Sequence, residues 1–262
     1  MSPAPKNMAA DHGPASAAAP ARKRIVAQTR FEAATLLRNG EQLLVSLVLP
    51  AMALLGLALS QSPSLGPGRR VDLAVPGVLA LAVISTAFTG QAISTAFDRR
   101  YGVLRLLGVS PLGRSGLLVA KALAVLTIEL SQFIVIGVIG LALGWHPKWI
   151  GLLAGGVLAL VGTWTFVALA LLLAGTIRAE GVLALANLIW VTLLGLGGVI
   201  IAPSQLPSGL SQVAGMLPSG ALADGLRTAF IEGRLAAIPL LVLVLWGAAA
   251  TMLAARTFRW SD

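Results

Sequence analysis

The sequence predicts an all-α integral membrane protein: a six-transmembrane-helix bundle with an N-terminal amphipathic interfacial helix and short external helices before the last span. Three observations carry that reading. Of the 262 residues, 57% are hydrophobic and 11% charged, against roughly 25% charged in a soluble domain. Six apolar runs reach the length of about 18–20 residues that crosses a bilayer core. The positive charges, finally, fall mainly in alternate connecting segments.

The elements follow in chain order. Residues 1–21 are rich in Ala and Pro and are expected to form a disordered cytoplasmic tail. No apolar stretch precedes the basic run Arg22-Lys23-Arg24, so no cleaved signal peptide is expected. Over 22–40, Ile25, Val26, Leu36 and Leu37 mix with Arg24, Arg30, Glu32 and Arg38 at helical spacing, which suits a helix lying in the membrane interface. The remainder, 41–262, holds spans at about 43–60 (with Pro50 inside), 78–97, 117–144, 150–174, 182–202 and 235–255. Barrel strands need only about 9–11 alternating residues, so these runs are helices. Between the last two spans, 203–234 carries Pro203, Pro207 and Pro218 among several glycines. Its stretches 206–216 and 220–232 are long enough for short helices and too short to cross.

The charges orient the bundle. Thirteen Lys and Arg fall before span one, between spans two and three, between four and five, and after six; five fall on the other side. The positive-inside rule places both termini in the cytoplasm, and an even number of spans agrees. Lys121, inside the start of span three, is expected to snorkel towards the same side. The net charge of +9 is thus an orientation signal, and no nucleic-acid partner is expected.

Catalytic chemistry finds little support. There is no Cys, and the two His, His12 and His146, stand apart. Neither a metal-ligand cluster nor a G-x-x-x-x-G-K-[ST] phosphate loop is present. The chain is therefore not expected to be an enzyme or to bind a cofactor or metal itself. The polar residues inside the spans are the candidates for a translocation pathway. Glu129 lies about 18 Å into span three at 1.5 Å per residue, near the midplane, where an ionisable group is expensive and marks function by default. Gln132 is on the same face. Gln91 and Ser94 belong to a polar side of span two, with Ser85, Thr86, Thr89 and Thr95. The competing reading of these Ser and Thr residues is hydrogen bonding between helices. Gly140-x-x-x-Gly144 and Gly151-x-x-x-Gly155 read as close helix packing.

The loop 98–116 reads DRRYGVLRLLGVSPLGRSG. Its apolar residues make one short helix, ended by Pro111, with an apolar face for lipid or for a groove in a partner. The run Arg99 to Leu112 resembles the cytoplasmic loop after the second span in type-2 ATP-binding-cassette exporter permeases. There a basic segment, a Gly, a Leu-rich turn and a Ser-Pro precede span three. Asn187, the run Gly197 to Pro203, Leu206-Pro207, Leu217-Pro218 and Asp224-Gly225-Leu226-Arg227 follow the order of the same family. The similarity covers residues 22–262. One departure is that many members carry a Glu just before the loop Gly, where Arg100 and Tyr101 stand here.

The resemblance implies a transport half. Two permease copies, or this chain and a paralogue, would form the pathway in a bacterial-type cytoplasmic membrane. Separate ATPase subunits would bind ATP and Mg. The loop 98–116 would be the coupling helix, with Arg99, Arg100, Tyr101, Gly102, Leu104, Arg105, Leu107 and Pro111 meeting the ATPase; 22–40 would be the connecting helix. Gln91, Ser94, Glu129, Gln132 and Asn187 would be pathway candidates, and a drug, lipid, glycan or haem-type cofactor the cargo. The alternative is an ion- or proton-coupled secondary transporter using Glu129. It ranks lower because Pro50 has no matching broken helix in the second half of the chain.

Overall fold

The computed structural model describes residues 19–38, 47–62 and 64–259. Most of the expected tail (1–18), the opening of the expected first span (43–46) and the side chains of Leu36 and Leu37 lie outside the described residues. All described elements are helical and none is a strand. They run α1 (Ala21–Arg38), α2 (Leu49–Leu59), α3 (Arg70–Arg100), α4 (Val103–Val109), α5 (Gly113–Ala142), α6 (Gly151–Thr176), α7 (Ala179–Leu196), α8 (Ser208–Met216), α9 (Pro218–Arg227) and α10 (Ala237–Thr257).

Five of these (α3, α5, α6, α7 and α10) are long and apolar enough to cross a membrane, one fewer than the sequence predicts. The difference is the first span. Its described part, α2, has 11 residues and reaches about 16 Å at 1.5 Å per residue, half of a core about 30 Å thick.

Two boundaries moved for identifiable reasons. Span two begins at Arg70, eight residues before the expected start, and takes Pro76 into its second turn. Proline is a poor helix-interior residue, but every residue from Leu73 to Val83 is buried, so neighbouring helices hold this stretch in place. A π-helical stretch, Ile84–Gly90, interrupts the same helix at mid-length. Span five stops at Leu196 instead of 202, because Gly198 takes a left-handed conformation (φ 70°) that turns the chain out of the helix.

The fold is arranged around α3. Of its apolar window 83% is buried, against 17% for α7, so α3 is the axis and α7 a peripheral helix. The axis packs on α2, α5, α6, α7 and α9, while α10 lies along α6 and α1 along α5. Between α7 and α10 the chain folds back as α8, α9 and the π-turn Thr228–Glu232, as the short expected helices anticipate.

Glycine lets this returning segment come close to the spans. A Cβ on Gly151 would stand 1.9 Å from Ala229 O, and one on Gly155 would stand 2.8 Å from the Phe230 ring. The Gly151-x-x-x-Gly155 pair therefore receives the Thr228–Glu232 turn. Because backbone cannot step aside as a side-chain tip can, Gly151→Ala is expected to push that turn off α6. The expected loss is about 1–3 kcal/mol or more, read as a lower unfolding temperature in detergent.

Candidate functional site

The short helix α4 stands between α3 and α5. Gly102, at φ 75°, makes the turn into it, and Ser110 closes it by donating from Oγ to Leu107 O (2.6 Å). Three to four residues per turn divide its apolar side chains between two faces. Leu104 points into the protein (2% exposed) and Leu107 is half-buried. Tyr101, Leu106 and Val109 point outward at 70, 71 and 83% exposure, with Arg105 and Pro111 exposed beside them. The resemblance implies Leu104 and Leu107 as residues that meet the ATPase; the structure turns Leu104 inward and exposes Leu106 and Val109 instead. Both pairs have the same spacing, so spacing alone does not select between them.

Arg99 also turns inward. It is buried, and its Nη1 and Nη2 each donate over 2.6 Å, to Ala174 O and Ile177 O. These are carbonyls at the C-terminal end of α6, where a cation is favoured by unsatisfied carbonyls and the helix dipole. Arg99 is thus a helix cap, not part of an exposed docking surface as the resemblance suggests. Arg100 pairs with Glu180 in the first turn of α7 and lies over the Tyr101 ring.

Lys121 does not snorkel. It is buried, and its Nζ donates to Asp98 Oδ2 (2.7 Å) and reaches Glu32 Oε2 (3.5 Å). The two carboxylates come from the end of α3 and from α1, so one ammonium ties three helices. Lys121→Met is expected to lower stability by about 1–3 kcal/mol by leaving two carboxylates without their cation. Faster proteolysis within α1, measured against the parent chain, would report its loosening from α5.

The polar residues of the spans are taken up partly between helices and partly within one helix. Gln132, fully buried, donates from Nε2 to Thr86 Oγ1 (3.0 Å). Trp190 Nε1 donates to Ser85 Oγ (2.9 Å), which links α7 to α3. Gln91 donates to Thr95 Oγ1 (3.0 Å), and Ser94 to Gln91 O (3.3 Å). Glu129, buried on α5, has its Oε2 2.5 Å from Thr163 Oγ1 on α6; its Oε1 has no hydrogen-bond partner among the described residues. Glu129 and Gln132 therefore face different neighbours, α6 and α3, instead of forming one polar pair. Asn187 is exposed on α7 and donates to Leu183 O within its own helix (2.8 Å). Among the described residues no group of three His, Asp or Glu could hold a metal ion. His146 sits 2.9 Å from Arg69 Nη1 through its Nδ1.

A sequence profile described as "ABC-2 family transporter protein" matches residues 68–256. The chain belongs to the ABC-2 transporter family. No curated protein matches it closely enough to count as a relative. The matched stretch covers the five long helices, the last of them to within one residue of its end, together with α4 and the returning segment. This ABC-2 chain is an integral membrane protein and the permease component of an ABC transporter.

One further anchor of the ABC-2 fold was visible in the sequence only as part of an Asp-x-x-Arg motif. Arg227, on α9, is buried and donates to Gly198 O (3.0 Å), Val199 O (2.5 Å) and Ile200 O (3.2 Å). These carbonyls belong to the turn that ends α7, so Arg227 does for α7 what Arg99 does for α6. Burial lowers its pKa to about 10, against the opposing pull of Asp224, so it remains a cation at neutral pH. Asp224 is itself raised by burial, with Arg227 acting against the shift. Gly77 makes room for the arrangement, since a Cβ there would lie 2.6 Å from Val199 O.

Proposed function

We propose that this chain is the transmembrane half of an ATP-driven exporter. It pairs with a second permease copy or a paralogue, and separate ATPase subunits bind ATP and Mg for it. Family membership supports a permease. The observation that carries coupling is α4: a short helix that buries Leu104 and exposes Leu106 and Val109, with Tyr101 exposed just before it. Such an apolar knob beside Arg105 suits a groove in a soluble partner. The chain has no phosphate loop, so ATP belongs to that partner. Transport then follows from ATP favouring one of two arrangements of the pair.

In this reading α2 and the residues before it form a sixth span, α1 is the connecting helix in the interface, and both termini are cytoplasmic in a bacterial-type inner membrane. The thirteen-to-five distribution of Lys and Arg supports that orientation. Gln91, Ser94, Glu129, Gln132 and Asn187 remain the pathway candidates; of these, Asn187 is the one exposed on the protomer. The secondary-transporter alternative is weaker, because Glu129 is enclosed between α5 and α6 within the protomer.

The test is biochemical. Purified alone in lipid, the chain is expected to show no ATP hydrolysis. Co-expressed with an ATPase subunit that it retains through purification, the complex is expected to hydrolyse ATP. Hydrolysis by the chain alone, or failure to retain any ATPase subunit, would sink the reading.

A further inference from the structure

Three consecutive residues at the root of α4 reach three different neighbours. Asp98 accepts from Lys121 of α5 (2.7 Å), whose Nζ also approaches Glu32 of α1. Arg99 holds the carbonyls of Ala174 and Ile177 at the end of α6. Arg100 pairs with Glu180 at the start of α7. Successive side chains on a helix point about 100° apart, so three in a row span about 200° of the circumference. They can do this because α6 and α7 pack against the end of the central helix α3, and Lys121 reaches that end from α5.

We propose that Asp98, Arg99 and Arg100 form a transmission hub, which carries a displacement of α4 at once to α1, α5, α6 and α7. The inference rests on the proposed coupling of α4 to an ATPase and names the positioning residues that would deliver the motion. A lever needs stiff links. Arg99 supplies two charge-assisted hydrogen bonds from a planar group, and the group is buried. The Arg100–Glu180 pair is more exposed, at 44 and 65% of the two side chains, so it is the link most open to exchange without damage to the fold. The α6–α7 turn, residues 175–180, is held from both sides of the hub, by Arg99 at α6 and by Arg100 at α7. It is therefore the segment expected to follow α4 most closely.

The absence of Cys makes this measurable. A single thiol introduced as Thr176→Cys, at an exposed position of the turn, carries a bimane probe in the complex with the ATPase subunit. The parent complex is expected to change its emission on trapping with ATP and vanadate. Arg100→Glu is expected to reduce that change at least twofold while the ATPase subunit still co-purifies. Arg100→Glu combined with Glu180→Arg restores the pair with reversed sign and is expected to restore the change; a merely stabilising contact would not control the nucleotide-linked signal. Arg99→Lys keeps the charge without the two-armed geometry and is expected to reduce the change as well. An undiminished signal in Arg100→Glu would overturn the hub. So would loss of the ATPase subunit in Arg100→Glu that the reversed pair does not recover, because Arg100 would then be an ATPase contact. A parent chain that retains no ATPase subunit would overturn the proposed function, and the hub with it.

Discussion

Arg227→Met is expected to lower the unfolding free energy by about 3–5 kcal/mol. The substitution removes three hydrogen bonds from a guanidinium that is only 4% exposed. The carbonyls of Gly198, Val199 and Ile200 lose their cationic donor, and a bond from a charged donor is worth about 1.5–3 kcal/mol. Met fills much of the same volume, so the loss reports the polar contacts and not a cavity. The effect should be legible as a large fall in unfolding temperature in detergent, followed by the six Trp residues. Arg227→Lys keeps the charge but cannot reach three carbonyls from one planar group, and is expected to recover only part. Parent-like stability of Arg227→Met would show that the turn after α7 does not depend on this side chain.

Leu106→Glu together with Val109→Glu is expected to weaken ATPase binding by more than about tenfold, the scale set by losing apolar anchors worth about 1.5–3 kcal/mol each when buried. Both residues are more than 70% exposed, so the charges meet water in the unbound chain and folding is expected to be unaffected. Leu104→Glu is the informative contrast. Leu104 is buried at 2%, and a carboxylate there should damage the fold itself, seen as low yield and early unfolding. Retention of the ATPase subunit by the outward double variant would remove α4 as its docking element. Loss of binding in the outward variant with normal folding, set beside misfolding in the inward one, would separate the two faces of α4.

Much of the architecture is legible in the sequence because length and hydropathy act locally. The runs that became α5, α6, α7 and α10 need no partner to declare themselves, since about 20 apolar residues satisfy their own backbone and prefer lipid. The loop between spans two and three also declares itself, by turn and breaker residues such as Gly102 and Pro111 that act within a few positions. The packing reading of Gly151 and Gly155 is local in the same sense, although their partners, Ala229 and Phe230, are some 75 residues away.

What tertiary structure alone decided is the partner of each polar side chain. In sequence, Arg99 and Arg100 are neighbours in one basic run; in the fold, one caps α6 and the other pairs with α7. Lys121 reads as a snorkelling cation until Asp98 and Glu32, from two other helices, arrive beside it. Glu129 and Gln132 share a helix face, yet their hydrogen bonds go to α6 and α3. The physical reason is common to all of these. A buried charge or amide must find its complement wherever the packing brings one, and sequence spacing records only the helix that carries the group. The sequence by itself thus determined a membrane protein of long apolar helices with a short helix in its basic second loop. Only the packing around α3 decided which side of that short helix faces out and which residues hold it to the spans.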